Sequence, residues 1–213
     1  MLVTGAGTGI GEAISRQLHA EGYRVTLLGR RREPLAALSA TLGANSHAVS
    51  GDVTDRAGIA SAFATARERF GDIEILVNSA GMAPTAPFHR LDFSDWQRTM
   101  DVNVNGVFHC SQIALEAMLG AGWGRIINIA SVASLRGFPY VSGYCASKHA
   151  VLGLTRAVAL EVQPKVSPST RSALAMSILI SYGQRLRKSS ARPVGLKMRH
   201  GALHSKQSTR APH

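Results

Sequence analysis

Three polar side chains in the second half of the chain have the types and the spacing needed for proton transfer. Tyr144 and Lys148 are four residues apart, which on a helix places both side chains on one face. A lysine cation at that distance favours the charged phenolate and so favours proton exchange at neutral pH. Ser131, at the end of an apolar run, can donate a hydrogen bond to an oxygen on which negative charge develops. An ordinary surface pair of tyrosine and lysine is the alternative.

A glycine-rich loop lies near the start of the chain, in the segment Thr4-Gly5-Ala6-Gly7-Thr8-Gly9-Ile10-Gly11. It follows a short apolar run and precedes a helical pattern. Glycines permit a tight turn and let the backbone approach a pyrophosphate, while the helix N-terminus offers free N–H groups to that anion. The loop therefore predicts a dinucleotide site, with a simple strand-to-helix turn as the alternative.

The elements that must position these residues alternate regularly as far as residue 163. Apolar runs predict strands at 2–3, 25–28, 47–49, 73–77 and 125–129. Periodic patterns predict helices over 10–18, 33–42, 55–70, 92–119 and 142–162. The fourth of these helices carries Trp96, Met100, Val104 and Phe108 on one stripe. The alternation predicts a single α/β domain with a Rossmann-like, doubly wound parallel sheet, whose ligand lies at the carboxyl ends of the strands.

The glycine spacing, with two later blocks, resembles the cofactor-binding half of the short-chain dehydrogenase/reductase family. The spacing Gly-x-x-x-Gly-Ile-Gly is typical of that family. Asp52-Val53 resembles the block that receives the adenine ring. The segment Asn78-Ser79-Ala80-Gly81 resembles the Asn-Asn-Ala-Gly loop that lines the cofactor, with Ser79 as a departure.

The same resemblance extends to the catalytic residues and covers about residues 1–163. Ser131, Tyr144 and Lys148 match the family's serine, tyrosine and lysine, and Asn103 matches its asparagine. The resemblance implies that the lysine also holds the nicotinamide ribose and that the asparagine links it to a water chain. For Asn103, a hydrogen-bonded side chain in a helix bend is the alternative. The residues expected to contact the dinucleotide are Thr4, Gly5, Gly7, Thr8, Gly9, Ile10, Gly11, Arg30, Arg31, Asp52, Val53, Asn78, Ala80, Gly81, Tyr144 and Lys148.

The end of the second predicted strand indicates which dinucleotide is preferred. A carboxylate there would pair with the ribose hydroxyls of NAD, but this chain has Gly29-Arg30-Arg31-Arg32. Arginine can bind the 2′-phosphate of NADP. Arg30 and Arg31 therefore favour NADP(H) and leave NAD(H) possible, and solvated arginines at a helix start are the alternative.

Charge and composition divide the chain into two parts. Residues 1–163 carry 14 Lys/Arg and 13 Asp/Glu, whereas residues 164–213 carry 10 Lys/Arg and no acid. The body therefore gives no sign of specific nucleic-acid binding. No metal site is expected, because His89, His109 and His149 lack ligand spacing. Without a signal peptide or a long apolar run, no membrane partner and a cytoplasmic location are expected.

The pattern of the family stops after Pro164. Its further strand, Pro-Gly loop, substrate-binding helices and last strand are not found there, so the sheet is expected to be truncated at the C-terminal strands and to leave the fifth strand unpaired. Residues 164–213 predict a basic, disordered tail outside the family, although Ser172–Tyr182 could form one apolar element. Acid-free Ser/Arg/Pro sequence of this kind is typical of an out-of-frame reading of GC-rich DNA.

Three functions remain open at this point. The resemblance implies an NAD(P)-dependent oxidoreductase that interconverts a secondary alcohol and a ketone, with a 3-oxoacyl, 3-hydroxyacyl or small hydroxy-acid substrate. The altered C-terminal part would instead fit a catalytically impaired dinucleotide-binding protein. A protein that binds acidic partners through its basic tail is the third. A homo-oligomer is expected if the C-terminal part is intact.

Overall fold

A parallel sheet forms the centre of the protein. The structure is a computed structural model that describes residues 1–162 and the backbone of 173–181. Within these residues the sheet has six strands: β1 (Leu2–Thr4), β2 (Val25–Gly29), β3 (Ser46–Ser50), β4 (Ile75–Asn78), β5 (Trp123–Ser131) and β6 (Ala173–Ser181). They are all parallel, in the order β3-β2-β1-β4-β5-β6. The order reverses between β1 and β4, where such sheets bind ligands at their carboxyl edge.

Helices connect successive strands. They are α1 (Gly9–Ala20), α2 (Arg32–Leu42), α3 (Arg56–Phe70), α4 (Phe93–Met100), α5 (Gly106–Ala121) and α6 (Ser142–Val162). The predicted Rossmann-like, doubly wound architecture is confirmed. In the described part, no helix combines the length and the apolar character needed to cross a bilayer.

Two apolar cores cover the two faces of the sheet. Strand β4 shows the division, because successive side chains of a strand point to opposite faces. Leu76 packs in one core with Phe63 of α3, whereas Val77 packs in the other with Leu18 of α1 and Leu35 of α2. A sheet buried on both sides needs the continuous apolar strands that the sequence contains.

The predicted helix over 92–119 is wrong in one respect. A π-helical segment, Asp101–Asn105, separates α4 from α5. Its wider turn adds a residue and shifts the inward face, so the predicted stripe is interrupted. Asn103 is fully buried, whereas Phe108, at the end of that stripe, is 43% exposed.

The expectation of an unpaired fifth strand is also wrong. Strand β6 pairs with β5 along its whole length, from Trp123 opposite Ala173 to Ser131 opposite Ser181. Its continuous apolar sequence suits a strand in a covered sheet. The predicted disorder of the tail therefore does not hold for Ala173–Ser181. The rest of that tail lies outside the described residues.

Candidate active site

The glycine loop folds against the loop that follows β4. Gly5 has φ +65°, and a Cβ there would lie 2.8 Å from the Cα of Ala80. A Cβ on Gly11 would overlap the carbonyl oxygen of Gly5. The hydroxyl of Thr4 accepts hydrogen bonds from the N–H groups of Ser79 and Ala80, at 3.0 and 3.1 Å. Backbone thus packs on backbone at the carboxyl ends of β1 and β4, which only glycine allows.

A cleft of about 640 Å³ opens between these loops and the ends of β2 and β3. Most of the predicted dinucleotide contacts line it: Gly5, Gly7, Thr8, Ile10, Gly11, Arg30, Arg31, Asp52, Val53, Ala80 and Gly81. Ser79 also lines it, within the loop expected to line the cofactor, whereas sequence reasoning missed Gly29, Pro34, Leu35, Gly51 and Val102. Gly29 and Gly51 could have been found from their places at and just beyond strand ends.

The cleft fits the pyrophosphate of a dinucleotide. Thr8, the residue before α1, makes no side-chain hydrogen bond to the helix, so the N-terminal N–H groups of α1 are left without a side-chain cap. The glycines beside it leave space that any Cβ would fill. An uncapped helix N-terminus next to a glycine loop stabilises a bound anion through its N–H groups and its dipole.

Two arginines stand at the far end of the cleft, after β2. Arg30 lies 3.8 Å from the carboxylate of Asp52, and both side chains are more than one-third exposed. Such a contact contributes little, so Arg30 is able to leave it for a stronger anion. Arg31 donates a long hydrogen bond, 3.4 Å, to the hydroxyl of Thr8. Both arginines line the cleft next to Pro34 and Leu35 of α2.

Lys148 is buried beneath the ring of Tyr144. Its ammonium lies 5.7 Å from the centre of that ring and donates a 2.7 Å hydrogen bond to the carbonyl oxygen of Ile129. Burial lowers the pKa of Lys148 from 10.5 to about 8, so the side chain is still mainly protonated at neutral pH. The predicted pairing of tyrosine and lysine on one face of α6 is present.

Ser131 ends β5 and is buried. Its hydroxyl oxygen accepts a 3.1 Å hydrogen bond from the N–H of Ala133. Its own N–H donates to the hydroxyl of Ser134 at 3.3 Å. The oxygen of Ser131 therefore has one acceptor position filled, and among the described residues its hydroxyl hydrogen has no acceptor.

Asn103 clamps the π-helical segment to the loop after β4. Its Oδ1 accepts a hydrogen bond from the N–H of Met82 at 2.8 Å, and its Nδ2 donates to the carbonyl oxygen of Met82 at 2.9 Å. The same Nδ2 donates to the hydroxyl of Ser147 at 3.0 Å. Both the oxygen and the nitrogen of the amide are hydrogen-bonded within the protein. This geometry matches the alternative stated for Asn103, a hydrogen-bonded side chain in a helix bend.

Several predicted residues lie away from the cleft lining. Asn78 is buried behind the sheet edge, where its Nδ2 donates to Ser111 and Asn128 at 3.0 and 2.8 Å. Its side chain therefore belongs to a core network, and Asn78 is not among the residues that line the cleft. Thr4 lies under the loop, and Gly9, with φ +61°, begins α1. Lys148 of α6 lies next to Gly81, where a Cβ would be 4.0 Å from Nζ, and Tyr144 lies four residues earlier on the same helix.

No metal centre is formed in the part of the chain that the structure describes. None of its His, Cys, Asp and Glu side chains group in threes or more with a geometry that could hold an ion.

The sequence of this chain is similar to those of known proteins. A family model described as short chain dehydrogenase matches residues 1–168. A 3beta-hydroxysteroid dehydrogenase of Mediterraneibacter gnavus is 38% identical over 169 residues, which are 78% of this chain and 61% of that relative. The chain thus spans about three-fifths of the length of this curated relative.

Two solved structures have the same fold. A gluconate 5-dehydrogenase from Burkholderia cenocepacia, in complex with NADP and tartrate, is 32% identical with a TM-score of 0.76, covering 85% of this chain and 69% of that one. A short chain dehydrogenase/reductase from Burkholderia phymatum, in complex with NAD, is 31% identical with a TM-score of 0.79, covering 85% and 64%. The family match, the identities and the shared fold together place this chain in the short chain dehydrogenase family.

Proposed function

We propose that this chain is an NAD(P)-dependent oxidoreductase that interconverts a secondary alcohol and a ketone. The observation that carries the proposal is the position of Gly81. This glycine lines the cleft, and a Cβ there would lie 3.3 Å from Oδ1 of Asn103 and 4.0 Å from Nζ of Lys148. The cleft therefore meets two of the proposed catalytic residues, Asn103 and Lys148, at one glycine.

The cofactor would be held by the glycine loop and α1 at its pyrophosphate, and by Asp52 and Val53 at its adenine. Lys148 would hold the nicotinamide ribose, as family resemblance implies. A bound nicotinamide dinucleotide supplies the hydride for ketone reduction and accepts it in alcohol oxidation. NADP(H) is the proposed partner, because Arg30 and Arg31 both line the end of the cleft after β2.

Tyr144 is the proposed acid and base. In the reducing direction its phenol gives a proton to the carbonyl oxygen of the substrate, and in the oxidising direction the phenolate takes the hydroxyl proton. Ser131 donates its hydroxyl hydrogen to the same oxygen and stabilises the negative charge that develops there. The ammonium of Lys148 stabilises the phenolate electrostatically while remaining protonated at neutral pH.

The substrate class follows from resemblance alone. A 3-oxoacyl or 3-hydroxyacyl compound, or a small hydroxy acid, is the proposed substrate. Relatives of this chain are named for unlike alcohols, such as a steroid and gluconate, so the family does not determine this choice.

A second candidate is a dinucleotide-binding protein with impaired turnover. The specific observation in its favour is that the family model matches residues 1–168, so the last 45 residues of the sequence fall outside the match. Such a protein would bind the cofactor through the same cleft but lack part of the wall that orients a ketone.

One titration followed by one assay separates the two candidates. NADPH and NADH are titrated into the purified full chain by nucleotide fluorescence, and oxidation of the reduced cofactor is then followed with a panel of 3-oxoacyl esters and keto acids. Turnover that is lost in Tyr144→Phe supports the oxidoreductase. Tight cofactor binding without turnover on any ketone supports the impaired protein, and failure to bind either cofactor overturns both.

A homo-oligomer and a cytoplasmic location are further proposals. Light scattering of the purified chain would give the mass of the assembly, and fractionation of the producing cells would give its location.

A further inference from the structure

A serine lies between the two proposed catalytic residues of α6. Ser147 is fully buried. Its hydroxyl donates a 2.8 Å hydrogen bond to the carbonyl oxygen of Tyr144 and accepts a 3.0 Å hydrogen bond from Nδ2 of Asn103. Both partners of this hydroxyl therefore belong to the candidate site.

The contacts of Ser147 continue into the cofactor cleft. The amide of Asn103 is held at both ends by the backbone of Met82, and Met82 directly follows Gly81 of the cleft lining. A chain of hydrogen bonds thus runs from the loop after β4, through the π-helical segment, to the backbone of Tyr144. Ser147 is its last link, and it fixes the first turn of α6 against that segment.

We propose that Ser147 is a positioning residue that sets the direction of the Tyr144 phenol. The inference rests on the proposed function, in which that phenol exchanges a proton with the substrate. A hydroxyl that holds the carbonyl oxygen three residues back limits rotation of the turn that carries the ring. Proton transfer depends steeply on such geometry, since a displacement of about 1 Å can lower a rate by about 10²-fold.

The same helix offers a matched control two turns further along. Thr155 is also buried, and its hydroxyl donates a 2.7 Å hydrogen bond to the carbonyl oxygen of Val151. It accepts a 2.8 Å hydrogen bond from Nδ2 of Asn128. The two hydroxyls have the same pattern of partners, but only Ser147 is bonded to Tyr144.

The test compares Ser147→Ala with Thr155→Val in the full chain. We expect both variants to lower the melting temperature by similar amounts, because each removes one buried hydroxyl. Only Ser147→Ala should lower kcat, by about tenfold or more, with little change in KM or in the cofactor Kd. Ser147→Thr, which restores a hydroxyl, should recover most of kcat.

A readout independent of turnover uses carbon-13 at Cζ of tyrosine, with the Tyr144 signal assigned from Tyr144→Phe. That signal should move in Ser147→Ala and stay in place in Thr155→Val. An unmoved Tyr144 signal in Ser147→Ala would overturn the inference, as would an equal loss of kcat in the two variants. If the parent chain shows no turnover, the proposed function fails, and the Tyr144 signal alone still decides the role of Ser147.

Discussion

The ammonium of Lys148 reaches across from α6 to the carbonyl oxygen of Ile129 in β5, at 2.7 Å. The contact holds α6 to the sheet next to the end of β5, two residues before Ser131. It also places a cation in a site that is only 7% exposed to solvent. Removal from water lowers the pKa of this lysine to about 8 in the folded protein, against 10.5 for a free side chain.

This burial predicts that stability rises with pH. Below pH 8 the folded state carries the full cost of a desolvated cation, and between pH 8 and 10.5 the folded protein binds fewer protons than the unfolded chain. The free energy of unfolding should therefore increase through that window, by about 3 kcal/mol for a shift of this size. Chemical unfolding at several pH values measures it. Lys148→Met is the control, since it should lose this rise, and identical slopes for the two proteins would contradict the prediction.

Tyr144→Phe should lower kcat by about 10²- to 10⁴-fold, the usual contribution of a positioned acid or base. The ring remains in place, so cofactor affinity should be nearly unchanged. Steady-state kinetics and a cofactor titration check both points. Tyr140→Phe, which changes an exposed tyrosine in the preceding loop, should keep the parent activity. A Tyr144→Phe protein that retains most of its kcat would show that another group moves the proton.

Arg30→Asp should shift the cofactor preference from NADP(H) towards NAD(H). A carboxylate at this edge of the cleft repels a 2′-phosphate, and we expect the Kd for NADPH to rise about tenfold or more, equivalent to at least about 1.4 kcal/mol. Arg32→Asp makes the same charge change outside the cleft lining. Equal losses in the two variants would point to the overall charge of the surface rather than to a contact with Arg30.

Gly5→Ala should destabilise the fold and also weaken cofactor binding. The new methyl would meet the backbone of Ala80 in a residue that already has φ +65°, and strain with overpacking typically costs about 1–3 kcal/mol. Gly22→Ala separates the two causes, because Gly22 has φ +87° but open space around it. Thermal unfolding should show a larger loss for Gly5→Ala, and equal losses would mean that the close approach to Ala80 relaxes freely.

Removing residues from the C-terminus should lower the melting temperature only when the deletion includes β6. A chain that ends at Val162 lacks β6 and exposes the edge of β5, which should lower the melting temperature by several degrees and promote aggregation. A chain that ends at Ser181 keeps that pairing and loses eight of the ten basic residues of 164–213. It should melt no lower than the parent and bind nucleic acid more weakly. Melts at matched salt test both, and equal stability of the two shortened chains would contradict the role given to β6.

Local chemistry explains which parts of the candidate site can be located from the sequence. The glycine loop and the Tyr144–Lys148 pair follow from spacing within one loop or one helix, and Ser131 follows from its place at the end of an apolar run, so a short stretch of sequence carries each signal. The interruption at Asp101–Asn105 has no such signature, since a single added residue is imposed by packing against other elements. The core hydrogen bonds of Asn78 have no local signature either, because its partners Ser111 and Asn128 lie 33 and 50 residues away.

The two hydrogen bonds accepted by Thr4 give the first position of the glycine motif an unusual mutational profile. Its hydroxyl supports the backbone of Ser79 and Ala80, which belong to a different strand end. In a deep mutational scan, Thr4→Val should therefore score with core substitutions, as a loss of protein abundance, while Thr4→Ser should be tolerated. Arg30, exposed at the cleft edge, should show the reverse, with abundance unaffected and cofactor choice altered. The residues of a ligand-binding motif can thus be under two separate selective pressures, one on folding and one on recognition.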